Sequence, residues 1–207
     1  INLGYCYQLK QDYALALKGY LESQHLFSKA KDEINQARSQ TNIAAVLNRF
    51  DVYDEAVKYG LKAERILMRQ PEYIADLAVL YNTLGIAYHE DAHYSIAEGY
   101  HKKSLQLRQQ LPNQLSIAPS INNLGNCFFE QEQYDSAMAY FTHYRILAAQ
   151  LEDDKKMGIA YGNIAKTYLK QGNVDYCRAF LDSAQEKHSK INLYAELAFL
   201  HNVRSDL

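Results

Sequence analysis

Tryptophan is absent from the 207 residues, proline occurs only three times and glycine only nine times. So few turn-forming residues suit a β-protein poorly, and the abundance of Ala, Leu, Gln, Glu and Lys favours helices. The three cysteines, Cys6, Cys127 and Cys177, lie far apart without a CxxC or Cys/His spacing, which argues against a disulfide framework or a zinc site. No apolar run approaches the roughly 20 residues that cross a bilayer. The sequence predicts an all-α chain without membrane contact.

An excess of charge of one sign is also missing. Lys and Arg number 22 and Asp and Glu number 24, so the formal net charge is −2. Nucleic-acid binding usually requires a basic excess, and we predict none here. The motifs GxGxxG, GxxxxGK[ST] and GxSxG, which mark nucleotide-binding loops and nucleophilic serines, do not occur. We therefore predict a chain with no cofactor, no bound metal and no enzymatic activity.

What the sequence does contain is a repeat of about 40 residues. Small residues recur at successive distances of 40, 41, 40 and 40, and two further series keep the same register. The first series is Gly4, Ala44, Gly85, Gly125 and Ala165; the second is Tyr13, Tyr53, Tyr94, Tyr134 and Val174; the third is Ala16, Ala56, Ala97, Ala137 and Cys177. Three series in one register indicate a helical repeat array.

The third copy shows how one unit is built. Tyr81, Leu84 and Gly85 share one helical face, and Gly85 forms a notch in it that another backbone can approach closely. After a break, Ser95 and Glu98 have the spacing of a capping box, and Asp54, Asp135 and Asp175 occupy the register of Ser95. We expect Ala97 on the second helix to face Gly85. Each unit is then a helical hairpin.

The small residue, the aromatic or Leu three positions later, the Tyr after the turn and the Ala twelve after the small residue resemble the tetratricopeptide repeat. The period exceeds the family's 34 residues, which resembles the extended repeats of kinesin light chains and of bacterial signalling proteins. The resemblance implies a right-handed α-solenoid of helical hairpins. We predict one solenoid over residues 1–207. Its expected repeats are approximately 1–36, 37–76, 77–116, 117–156 and 157–190, with the start of a sixth at 191–207, and we expect a longer parent protein.

In this family the face of the first helices opposite the packing stripe lines a concave groove. The resemblance therefore implies that polar and charged residues on this face contact a peptide or partner segment. The candidate binding residues are Asn42, Asn82, Asn122, Asn123, Asn126, Asn163, Lys166, Lys170, His89 and Arg49.

Asparagine recurs on this face, in mid-helix, where it costs helix propensity and has no capping role. Asn2, Asn42, Asn123 and Asn163 lie two residues before the small residue of their copies. One interpretation is that these amides hydrogen-bond the backbone of an extended peptide. The alternative is a structural ladder between repeats.

The basic residues of this face also have two interpretations. They either receive an acidic or carboxylate segment or are solvated side chains. These residues are Lys166 and Lys170, with Arg49 at the other end.

The segment from His89 to His93 matches HExxH, a pattern that places two zinc ligands one helical turn apart. The repeat register puts Ala92 and His93 in the turn between helices, where this geometry is lost. We therefore interpret His89 as a groove residue and His93 as an exposed turn residue.

The resulting functional prediction is a protein-interaction module that binds a peptide or partner segment in the groove. The alternative is a sensor or regulatory region of a bacterial signalling protein, a histidine kinase or transcription regulator, with the output domain outside these residues. Self-association through the terminal repeats is a further expectation. Unpaired cysteines favour the cytoplasm, whereas the resemblance to bacterial sensor regions favours the periplasm.

Overall fold

A computed structural model describes residues 1–189. These residues form ten α-helices and two 3₁₀ turns, without any β-strand in that range, so the predicted all-α class is confirmed. The α-helices are α1 (Asn2–Leu9), α2 (Tyr13–Ala30), α3 (Glu33–Arg49), α4 (Tyr53–Leu67), α5 (Ile74–Glu90), α6 (Tyr94–Arg108), α7 (Ala118–Glu130), α8 (Tyr134–Gln150), α9 (Asp154–Lys170) and α10 (Val174–Ser189). The 3₁₀ turns are Pro71–Tyr73 and Gln114–Ile117.

The helices belong to two compact units. Unit 1, Ile1–Gln114, contains the three hairpins α1/α2, α3/α4 and α5/α6. Unit 2 starts at Leu115 and contains the hairpins α7/α8 and α9/α10. One solenoid over residues 1–207 stays a prediction, and the expected sixth copy at 191–207 lies outside the described residues.

Each hairpin turns through one residue in the left-handed conformation. In the third hairpin this residue is Ala92, with φ 58°, and the His93 amide donates to the Tyr88 carbonyl at 2.8 Å, which is the backbone pattern of a Schellman cap. Positive φ recurs in the same register at Gln11, Asp51, Ala92, Glu132 and Gly172. Five helices therefore end by backbone hydrogen bonds in the same way.

The expected capping box of the third copy is wrong. The helix α6 begins at Tyr94, its N-cap is His93, and no side chain caps it, so Ser95 lies inside the first turn. The reason is the turn itself, because its backbone bonds bring the chain into helical geometry one residue earlier. Asp54 and Asp135 likewise lie in the first turns of α4 and α8, where carboxylates interact favourably with the helix dipole.

Side chains of the second helices fill the notches of the first helices. A Cβ added to Gly85 would lie 2.5 Å from Cε1 of His101, and one added to Gly125 would lie 2.5 Å from Cε1 of Phe141. Ala97 was expected to face Gly85, but the atoms nearest that notch belong to the His101 ring. The notch at Gly85 thus accommodates a ring sixteen residues later, while at Gly4 the backbone carbonyl of Ala16, in the register of Ala97, also lies 3.2 Å from the added Cβ.

Neighbouring hairpins pack through apolar residues of the first helices. In unit 1, Ile43 of α3 joins Tyr20 of α2 in one cluster, and Leu84 of α5 fills the space at Gly60 of α4. In unit 2, Ile164 of α9 packs with Phe141 of α8. Within each unit, adjacent hairpins therefore share apolar packing, and such nearest-neighbour interfaces contribute to the stability of repeat proteins.

Candidate functional site

In unit 1 the first helices α1, α3 and α5 place a small cavity next to Asn42. We call the outward side of these helices the first-helix face of unit 1. The cavity has a volume of about 200 Å³. Its lining residues are Ile1, Arg38, Thr41, Asn42, Asp76 and Val79. Asn42 is half-buried there, and its side chain makes no hydrogen bond with any residue of the described range.

One wall of the cavity is an ion pair between α3 and α5. Arg38 donates from Nε to Oδ1 of Asp76 and from Nη2 to Oδ2, both at 2.9 Å. The Asn35 side chain accepts a third bond from Arg38, and the guanidinium lies 5.6 Å from the Tyr73 ring centroid. The bonds to Asp76 raise the pKa of Arg38 above its ordinary value. This bidentate pair is fixed in position from several sides.

Sequence reasoning did not find the pair. Arg38 and Asp76 are 38 residues apart, so they lie in different registers of the 40-residue repeat. The sequence did contain one sign of the pair: Arg38 and Asp76 have opposite charges, lie on adjacent first helices, and differ by less than one helical turn in repeat register. Such a signal is recognisable only once the helix stagger is known.

Other predicted residues of unit 1 are more scattered along this face. Asn82 is half-buried in α5, and Arg49 is exposed and forms no ion pair with a described residue. His89 packs edge-on against Tyr94, with ring centroids 5.3 Å apart, while its Nε2 atom is enclosed and has no hydrogen-bond partner in residues 1–189. Asn48 of α3 donates to the Thr83 carbonyl at 3.0 Å and so connects α3 to α5.

In unit 2 the asparagines of the first helices have different environments. Asn163 of α9 donates from Nδ2 to Oδ1 of Asn122 on α7 at 3.1 Å. Asn126 is half-buried and forms no side-chain hydrogen bond with the part of the chain described. Asn123 is half-buried as well. One pair of amides thus connects the two helices, while the Asn126 amide remains available.

The predicted lysines of unit 2 also differ. Nζ of Lys166 lies 4.2 Å from the ring centroid of Phe129 and 3.5 Å from Oε1 of Glu130. Phe129 is itself buried against Tyr134. Lys170 is exposed and pairs with no acidic group in the described range. Because Arg49 belongs to unit 1, its joint action with these lysines stays a prediction.

The HExxH segment does not lie on one helix. The helix α5 ends at Glu90, and His93 follows the left-handed Ala92 as the N-cap of α6. Nδ1 of His93 lies 2.7 Å from the Asp91 carbonyl oxygen. Within residues 1–189 no group of three or more His, Cys, Asp or Glu side chains is placed to hold a metal ion. The geometry of a helical zinc motif is therefore lost at the turn.

None of the helices in the described part is long and apolar enough to cross a membrane. The three cysteines form no disulfide, and Cys127 and Cys177 are buried whereas Cys6 is exposed.

These features define the class of the protein as a helical-repeat protein built from antiparallel hairpins with a small-residue notch. Residues 76–150 match the family model described as tetratricopeptide repeat. The resemblance inferred from the residues is thereby confirmed. A search of curated protein sequences finds no match.

Several solved structures have a similar fold. BtubC (BKLC) from P. vanneervenii has a TM-score of 0.79 at 20% identity, over 93% of this chain and 79% of that one. A Rap protein complexed with Competence and Sporulation Factor has a TM-score of 0.84 at 18% identity. The match includes 95% of this chain but only 55% of the Rap protein. Tetratricopeptide-like repeats of a kinesin light chain from Podosopora anserina have a TM-score of 0.70 at 15% identity, over 92% and 93% of the two chains. At these identities the likeness concerns the fold.

Proposed function

We propose that the chain is a non-catalytic protein-interaction module that binds an extended peptide or partner segment on the outward faces of its first helices. The observation that carries this proposal is an available amide in each unit, at Asn42 in unit 1 and at Asn126 in unit 2. Both are half-buried in mid-helix, and neither bonds a described side chain or backbone group. Each offers a donor and an acceptor to a ligand backbone.

The contrast with Asn163 explains why the Asn42 amide is unpaired. The Asn163 side chain donates a hydrogen bond to the side chain of Asn122. Asn122 lies three residues before Gly125, the small residue of the preceding copy. Asn42 has the same register as Asn163, and the corresponding position of the preceding copy is Ile1. An isoleucine side chain has no acceptor. A mid-helix Asn without a structural partner is thus best explained by a ligand.

The test is a selection of displayed random peptides on the chain, followed by affinity measurements with two double variants. In the first, Asn42→Ala and Asn126→Ala remove the unpaired amides. In the second, Gln106→Ala and Gln185→Ala remove two exposed amides of the second helices. Both should keep the circular dichroism of the original chain.

We expect a shared peptide motif whose affinity falls roughly thirtyfold in the first variant, since two lost hydrogen bonds of about 1 kcal/mol each amount to ~2 kcal/mol. The second variant should bind as the original does. Failure to enrich any motif, or equal binding by both variants, contradicts the proposal.

The regulatory alternative has support of a different kind. One similar structure is a Rap protein in complex with Competence and Sporulation Factor, and this chain spans about half of that protein. If the same use applies here, the ligand is a short signalling peptide and the response belongs to a domain outside these residues. Selected peptides that also alter the activity of the parent protein would support it. Self-association remains a separate proposal, tested by sedimentation over a range of concentrations.

A further inference from the structure

The cavity of the first-helix face in unit 1 has few polar groups left to satisfy. Arg38 and Asp76 neutralise each other through two bonds of 2.9 Å. The Thr41 hydroxyl donates to the Ala37 carbonyl at 3.0 Å. Among the polar residues that line the cavity, Asn42 is the one whose side chain has no partner in residues 1–189.

The remaining lining is apolar and open to a ligand. Val79 of α5 is 46% exposed, and Ile1 is the other apolar residue of the lining. The volume of about 200 Å³ is close to cavities of ~150 Å³ that hold a benzene-sized group. Pockets for drug-sized molecules are larger, at roughly 300–1,000 Å³. The size therefore fits one side chain.

We propose that this cavity is a subsite for one uncharged aliphatic side chain, of Leu, Ile, Val or Met, in an extended peptide. The Asn42 amide bonds the backbone of the same peptide residue. A charged side chain is disfavoured because the two charged side chains of the lining, Arg38 and Asp76, are already paired with each other, so it would lose hydration without gaining an unpaired side chain of opposite charge. The inference rests on the proposed function and specifies the peptide that this face selects.

The first test uses peptides enriched on the chain, with every position substituted in turn. Val79→Trp fills the cavity, and Ile96→Trp is its control because Ile96 of α6 is equally exposed, at 46%. We expect one peptide position to be restricted to aliphatic residues. Val79→Trp should weaken binding at least about tenfold, the effect of excluding one buried aliphatic side chain, and Ile96→Trp should not. Val79→Asp, measured in parallel, should weaken binding too and shows that bulk alone is not responsible.

The second test needs no selected peptide. N-acetyl-leucine-N-methylamide is titrated into protein with labelled valine methyl groups, and the Val79 signals are assigned from their loss in Val79→Trp. Saturable shifts of the Val79 methyls with the leucine compound, and none with the aspartate analogue, support the subsite.

The outcomes separate the two proposals. Peptide binding without an aliphatic position, or undiminished in Val79→Trp, overturns the subsite and leaves the proposed function intact. If no peptide is enriched but leucine-dependent shifts appear at Val79, the cavity binds an aliphatic group outside a peptide, which overturns the proposed function and the peptide subsite. Neither peptides nor shifts overturn both.

Discussion

Acidification should destabilise the third hairpin through His101. The ring is 1% exposed and occupies the notch at Gly85, and its Nδ1 atom has no hydrogen-bond partner in the described range. Burial, with a smaller contribution from nearby His89, lowers the pKa of His101 from 6.5 to about 3. Protonation in the folded state would place an uncompensated charge inside the hairpin.

The direction and size of the effect follow from linkage. The folded pKa is the lower one, so the unfolded chain binds the proton more readily. Stability is therefore complete above about pH 6.5 and falls continuously as the pH decreases toward 3. At 1.36 kcal/mol per pH unit, the loss between pH 7 and pH 5 is about 2 kcal/mol.

The assay compares urea unfolding at pH 7 and pH 5 for the original chain, His101→Phe and His143→Gln. Phenylalanine is suitable because Phe141 fills the equivalent notch at Gly125. His143 is exposed and serves as the control. We expect His101→Phe alone to remove about 2 kcal/mol of the pH-dependent loss. Equal losses in all three proteins, or an imidazole of His101 that titrates near pH 6.5 by NMR, would refute the reasoning.

Three further predictions concern stability, each measured by urea unfolding. Ala92→Gly should stabilise by about 0.5–1 kcal/mol, because Ala92 has φ 58° and glycine adopts that conformation without strain; an unchanged midpoint would contradict this. Gly125→Ala should destabilise by roughly 1–3 kcal/mol, because its Cβ would lie 2.5 Å from a Phe ring. Its control Gly99→Ala meets nothing within 4 Å and should stabilise by about 1 kcal/mol. A double-mutant cycle of Asn122→Ala and Asn163→Ala should show a coupling of about 1 kcal/mol, and strictly additive effects would argue against their bond.

The repeat and the all-α fold could be predicted because both depend on properties that recur. A small residue is needed in every first helix and Tyr begins four of the five second helices, so these residues form visible series. The packing partner of the notch was not predictable in this way. It lies sixteen residues after the small residue, and its members share no chemistry: Tyr20, Gly60, His101, Phe141 and Leu181.

Side-chain volume explains the residues found sixteen positions after the small residue. The three ring side chains, Tyr20, His101 and Phe141, lie opposite glycine, and a Cβ on any of these glycines would come within 3 Å of the ring. At Gly60 the small residue is on the second helix, and Leu84 of the next hairpin fills the space. In the first, third and fourth copies a ring therefore compensates for the glycine, whereas in the second copy both positions are small and a residue of the next hairpin compensates. A search for recurring residue types does not find this relation, because it concerns side-chain size.

The candidate site was harder to predict because the role of a polar residue depends on its neighbour in another copy. Asn163 and Asn42 have the same residue type and register, yet Asn163 donates a hydrogen bond to Asn122, whereas Asn42 lines a cavity together with Ile1. Only the pairing of the two positions across adjacent first helices distinguishes a structural amide from an available one. Because the half-buried Asn42 amide has no partner in residues 1–189, an Asn beside an apolar residue of the adjacent copy is a more informative sign of a binding site than a long row of Asn residues.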